Sequence, residues 1–266
     1  MYQKTEDKRP DPKPRKYPQL WQSYLWWDEI MQMRKRHLLR ISSIEAGKSE
    51  MDLQFEVDML DEMQLDTMKK HTEKLMASFG REVPVWEWMT NIHGVGNHTA
   101  AKILALVDDI AKFDNISKLW RFCGYAVIDG GAERNKAGEK SHFNRRLKSE
   151  LFLLAESFIK SQSPEYVWIY YEEKQRLRTL YPEPIEDKNS AWGKRFTDQH
   201  VHRMAIRKMV KIFLSHLWLV WREAEGMPVS EPYAIAHMPT HTHYIEPYDA
   251  TSPELTLDTA GGIDYS

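Results

Sequence analysis

Between Leu20 and Arg222 apolar residues recur mostly at helical spacing, and glycines and prolines mark the breaks. Residues 20–46 read as one long helix and 49–79 as a second, with no proline inside either. In the second, Leu53, Val57, Leu60, Met63 and Met68 recur among acidic residues. Between them the run Glu45-Ala-Gly-Lys48 offers a glycine to end one helix, and Ser49 is a fitting cap for the next. Two long helices joined by so short a turn must fold back on each other.

From Val83 onward the pattern shortens. Helical spacing predicts segments at 86–90, 99–107, 116–123, 145–161, 165–180 and 197–222, separated by breaks that include Pro164, Pro182 and Pro184. The last of these carries a broad apolar stripe through positions 206, 209, 210, 213, 214, 217 and 221, with basic residues opposite. The expected fold is all-α: a long, coiled-coil-like helical hairpin and a compact helical domain. Four units follow: a flexible, basic, proline-rich arm at 1–19, the hairpin at 20–80, the compact domain at 81–240 and an acidic, disordered tail at 241–266.

Composition narrows this picture. Of 266 residues, 42% are hydrophobic and 29% charged, the balance of a soluble globular protein. The single cysteine, Cys123, forms no internal disulfide, and no apolar run is long enough to span a membrane. A cytoplasmic protein is expected, in a prokaryotic or virus-infected cell. The net charge of -2 hides an uneven distribution. Six Lys or Arg (Arg134, Lys136, Lys140, Arg145, Arg146, Lys148) lie between 134 and 148 against one acid. Six more (Lys194, Arg195, Arg203, Arg207, Lys208, Lys211) lie between 194 and 211, again against one acid. Phosphate binding depends on local cation density, so these two segments are candidate nucleic-acid contacts. Asn135, His142, Asn144 and His200 add hydrogen-bonding groups to them.

The strongest local motif is Ile92-His-Gly-Val-Gly-Asn-His-Thr-Ala100. Two glycines around one apolar residue make a tight turn, and the next helix begins with unbonded N–H groups that suit phosphate. The pattern is that of a helix-hairpin-helix, which contacts backbone rather than bases. It nominates His93, Gly94, Gly96, Asn97, His98, Thr99 and, one turn on, Lys102. A plain packing turn between two helices is the competing reading.

The stretch from Ile92 to Leu147 resembles the C-terminal domain of bridge-RNA-guided insertion-sequence transposases of the DEDD class. The matching features are the glycine turn, Asp109-Ile110-x-x-Phe113, Leu119-Trp-Arg-Phe-Cys-Gly-Tyr125 and Asn144-Arg-Arg-Leu147. Two features of that family have no counterpart here. No acidic RuvC-like domain precedes the motif, and the loop Val127-Ile-Asp-Gly-Gly-Ala-Glu133 lacks the family's serine. Phe143 also stands where a glycine usually precedes the asparagine.

A helical hairpin before such a domain is similar to the Nop domain of box C/D particles, and to nuclease-less Tas proteins of tandem-interspaced-guide-RNA systems. That resemblance implies a ribonucleoprotein: a guide RNA held by the protein, target DNA found by base pairing, and no catalytic residue or cofactor in this chain. The alternatives are a divergent transposase or recombinase, or its accessory subunit, using Ser141 or Ser149, and a structural DNA-binding protein that needs no RNA. A homodimer through the hairpin is expected, because Phe55, Met59 and Met63 would otherwise stay wet.

Other clusters have ordinary readings. His200-Val-His202 and His241-Thr-His243 have no cysteine partner, so no metal is expected. Asp108, Asp109 and Asp114 suit helix capping better than a two-metal centre. The aromatic clusters Trp26-Trp27 and Tyr166–Tyr171 could stack RNA bases, but most of their rings are expected in core or interface packing.

Overall fold

Pro18 sits in the first turn of α1 (Pro18–Glu45), where its missing N–H costs nothing. Gly47, at φ +67°, ends that helix: its N–H bonds the Ile44 carbonyl, and the Lys48 N–H reaches back to Ser43. The chain then returns as α2 (Leu53–Gly80). The cross-links run in opposite order along the two helices. Trp27 Nε1 donates to Glu73 at 3.3 Å, while Arg34 further along α1 meets Glu62 and Asp66, earlier in α2. The hairpin is therefore antiparallel. The computed structural model describes residues 14–48, 53–128, 131–132, 138, 141–187 and 193–229, with the backbone alone at 53–60 and 128.

Six further helices follow among the described residues. They are α3 (Trp86–Asn91), α4 (Asn97–Val107), α5 (Ile116–Phe122), α6 (Arg145–Ser161), α7 (Val167–Leu180) and α8 (Asp198–Ala224). A single 3-10 turn covers Ile110–Lys112. Two small antiparallel hairpins complete the set: β1 (Val127–Ile128) with β2 (Gly131–Ala132), and β3 (Ile185–Glu186) with β4 (Lys194–Arg195). The fold is all-α in character. The two β-hairpins depart from the sequence expectation, because two-residue strands show no alternation that a sequence pattern can reveal.

The core is organised around α4, in which every residue from Ala100 to Val107 is buried. Ala100, Ala101 and Ala105 keep that helix thin, so α1, α2, α3 and α6 all pack against it. The stripe Ile206, Met209, Val210, Phe213, Leu214, Leu217 and Trp221 on α8 is buried throughout, as its spacing predicts. Phe213 meets Phe158, Tyr166 and Trp88 ring to ring, and the Tyr166 hydroxyl lies 2.9 Å from His216 Nδ1. Leu20, Tyr24 and Met76, from the hairpin's base, belong to the same buried cluster. No helix among the described residues is long and apolar enough to cross a membrane.

The rest of the hairpin leaves apolar groups in water. Met63 is 71% exposed, and Trp26, Leu38, Leu39 and Met68 are exposed as well. The side chains of Phe55 and Met59 lie outside the described residues.

The N-terminal segment is held down from Arg15 onward rather than free. The Lys16 N–H donates to Asp108 Oδ1 at 3.1 Å, and its ammonium meets Glu225 and Asp109. Arg15 stands 3.9 Å over the Trp21 ring and 3.7 Å from Asp108. Asp108 is buried, takes φ +68° and also pairs with Lys112, so it serves as an internal anchor. Residues 1–13 and the tail at 241–266 lie outside the described residues.

Candidate nucleic-acid interface

The glycine turn joins α3 to α4, with Val95 buried beneath it. Its two glycines do different work. Gly94 takes φ +92°, and a Cβ there would come within 2.5 Å of Ser161 Oγ on α6. Its carbonyl accepts from Ser157 Oγ at 2.7 Å. The close approach that this glycine permits is thus to α6. Gly96 has an ordinary extended backbone, with open space where a Cβ would stand.

Carboxylates flank the turn. The His93 N–H donates to Glu165 Oε1 at 3.3 Å, and His98 Nε2 lies 3.7 Å from Glu73. His98 packs on Trp27 with centroids 4.7 Å apart. Burial, and next the Lys102 ammonium, push its pKa down to about 4, so the ring is neutral near pH 7. Lys102 is only 8% exposed, with Nζ 2.5 Å from Glu150 Oε2 on α6 and 5.0 Å from the Trp27 ring. The motif alone places His98 and Lys102 among the phosphate contacts, but the structure turns both into the seam between hairpin and domain. Asn97 is exposed and Thr99 half-buried on the first turn of α4.

Gly94→Ala is therefore expected to cost about 1–3 kcal/mol of stability, from a left-handed backbone carrying a Cβ against α6. Gly96→Ala should stay within about 0.5 kcal/mol of wild type. Urea unfolding of both variants measures this, and equal losses would remove the packing role from Gly94.

Outward-facing cations gather elsewhere, at the end of α5. Asn144 caps α6 by accepting from the Leu147 N–H, and its own N–H bonds the Phe122 carbonyl at 2.8 Å. Phe143 packs under Gly124, whose φ is +75°, and Lys148 Nζ lies 4.3 Å from the Phe143 ring. From the other side, Arg207 Nη2 on α8 donates to the carbonyls of Tyr125 and Ala126, at 3.2 Å each. Lys211, one turn further, stands 3.9 Å over the Trp120 ring. Both ends of the 125–144 segment are thereby fixed between the start of α6 and the middle of α8. The two basic segments, far apart in sequence, meet at Gly124–Ala126.

Arg121 and Arg145 are exposed at this corner, and Arg203 is exposed one turn before Arg207 on α8. Among the described residues none of these three is in an ion pair. His142 is exposed beside them in sequence. Arg134, Asn135, Lys136 and Lys140 lie outside the described residues, within the segment whose ends are tied here.

Other cations of the two basic segments are paired with carboxylates of the same chain or lie apart from the corner. Arg146, exposed like its neighbour Arg145, turns to α1 and meets Asp28 at 2.7 Å. Lys208 pairs with Glu173 at 3.0 Å. Arg195, with Lys194 beside it on β4, lies 3.6 Å from Asp187. His200 accepts from the Phe196 N–H at the start of α8, a separate place from the Arg207 turn. Trp120, Arg121 and Tyr125 join the corner without having been nominated by charge or motif as contacts. The one available signal is their place in the Leu119–Tyr125 motif, between the glycine turn and the basic run.

The histidines form no metal centre among the described residues, where no group of three or more His, Cys, Asp or Glu is placed to hold an ion. His202 instead contacts the Tyr170 hydroxyl at 2.9 Å and Glu156 at 3.3 Å. Asp109 caps the 3-10 turn by accepting from the Ala111 N–H, and Asp114 pairs with Lys118. Both serines of the enzymatic alternative are engaged locally. Ser141 Oγ donates to the Phe143 carbonyl at 2.9 Å and Ser149 Oγ to the Arg145 carbonyl at 3.1 Å.

Comparison with known proteins bears on this corner. Residues 87–168 match the family model described as Transposase IS116/IS110/IS902 family. The match runs from α3 into the first turn of α7, and so takes in the glycine turn, α5, the tied segment and α6. This part of the chain is transposase-related. No curated protein and no solved structure matches the chain.

Proposed function

We propose that this chain is a guide-RNA-binding protein that finds target DNA through base pairing by the RNA and performs no cleavage of its own. The observation that carries the reading is the convergence of cations from α5, α6 and α8 on Gly124–Ala126, within and beside the transposase-related segment. Clustered cations suit a protein that grips backbone and leaves sequence to the RNA. A long helical hairpin before a compact helical domain is also the layout that the Nop-type resemblance implies. The exposed apolar side chains along the hairpin favour a second copy of the chain as its cover.

A second reading, a transposase or its accessory subunit, is favoured by the family match itself. The local hydrogen bonds of Ser141 and Ser149 count against either hydroxyl as nucleophile.

One preparation tests the proposal. The protein is purified from expressing cells that also carry its native flanking DNA, and any bound nucleic acid is sequenced. Protein mass is measured by light scattering before and after nuclease treatment. The expected result is one RNA of defined size on two protein chains. Protein free of nucleic acid, or carrying DNA alone, would overturn the guide-RNA reading; a monomer mass would overturn the dimer.

A further inference from the structure

Lys211 is a half-buried cation at this corner, on α8, with its ammonium 3.9 Å from the centre of the Trp120 ring. That ring is fixed, because Trp120 Nε1 donates to the carbonyl of Lys211 at 3.1 Å. One turn back stands Arg207, whose guanidinium is held by the carbonyls of Tyr125 and Ala126 and lies 5.6 Å from the Tyr125 ring. Among the described residues no carboxylate pairs with Lys211. The contrast with other lysines is direct: Lys208 has Glu173, Lys102 has Glu150 and Lys112 has Asp108.

Burial, and after it the nearby Arg207, hold the Lys211 pKa below the ordinary lysine value. An indole face offsets only part of the cost of removing an ammonium from water. An ammonium resting on a fixed aromatic ring, with no carboxylate partner among the described residues, is pre-positioned for an anion.

We infer that Lys211 is a phosphate anchor, taking one backbone phosphate of the bound nucleic acid one turn from the Arg207 contact to Tyr125 and Ala126. The inference rests on the nucleic-acid-binding reading above and names the point at which the strand is gripped.

Lys211→Met tests this, since methionine keeps an apolar stem over Trp120 and removes only the charge; Lys211→Arg restores the charge. Binding of a short single-stranded RNA is measured across a salt series, and inorganic pyrophosphate is titrated separately while the melting temperature is followed. Lys211→Met is expected to weaken RNA binding about tenfold at low salt, the effect of removing one charge-assisted hydrogen bond. The log–log salt slope should fall by about 0.7, and Lys211→Arg should recover most of both. Pyrophosphate should raise the melting temperature of wild type and not of Lys211→Met.

Unchanged affinity and slope in Lys211→Met would overturn the anchor and leave the RNA-binding reading standing. Pyrophosphate protection that needs Lys211, in a wild-type protein that binds no RNA, would keep an anion site and overturn the nucleic-acid reading. Wild-type protein that responds to neither probe would overturn both.

Discussion

Lys102→Met should destabilise the protein by about 3–5 kcal/mol, the usual cost of stranding one half of a buried ion pair. Lys102 projects from α4 between α1 and α6, with Trp27 on one side and Glu150 on the other. Glu150 Oε2 is buried and accepts no hydrogen bond among the described residues, so the ammonium 2.5 Å away is its main compensation. Without it, the carboxylate must take up a proton or draw in water, and either loosens the seam between hairpin and domain. Lys102→Met combined with Glu150→Leu should recover most of the stability, because two apolar groups of similar volume remove both desolvation costs. Urea unfolding of the two singles and the double measures the coupling. A single-variant effect under about 1 kcal/mol would show that the pair is hydrated and that the seam depends on Trp27 and its neighbours instead.

The second large effect is on binding. Removing charge at Arg121, Arg145 and Arg203 together (each to Gln) should weaken binding to single-stranded RNA by on the order of a hundredfold or more at low salt. The log–log salt slope should fall by about 2, since each phosphate that a single strand no longer has neutralised lowers it by roughly 0.7. Stability should hardly move, since none of the three is in an ion pair among the described residues. The comparison is a second triple variant at Lys70, Lys118 and Arg176, cations already paired with Asp66, Asp114 and Glu173. If both triples weaken binding equally, the interaction is with the protein's general charge and the corner at Gly124–Ala126 has no special role.

Arg145 and Arg146 show how far sequence carries such an argument. Both stand in one basic run at a helix start, and nothing in their order separates them. Neighbouring positions on a helix point about 100° apart, so both remain exposed but only Arg146 reaches Asp28 on α1. The glycine turn divides in the same way. Its motif shows that a turn must be there, but Gly94 spends its freedom on Ser161, whereas Gly96 faces open space.

What the amino-acid order decided by itself is the local part. Helical spacing placed α6 at the bounds observed and α3, α4, α5, α7 and α8 within a few residues of them. Gly47 ends the first long helix, and Asn144 and Thr197 cap α6 and α8 through their own side chains. These outcomes depend on residues three or four apart, whose contacts any helix brings together. Tertiary structure alone decided which charges remain available. Lys102 meets Glu150, Arg146 meets Asp28 and Arg207 meets the carbonyls of Tyr125 and Ala126, each across separations that no local pattern encodes. A charge binds phosphate only if the fold has not already neutralised it. That is why the two basic segments were legible in the sequence, while the corner where they meet and Lys211, with no carboxylate partner among the described residues, were not.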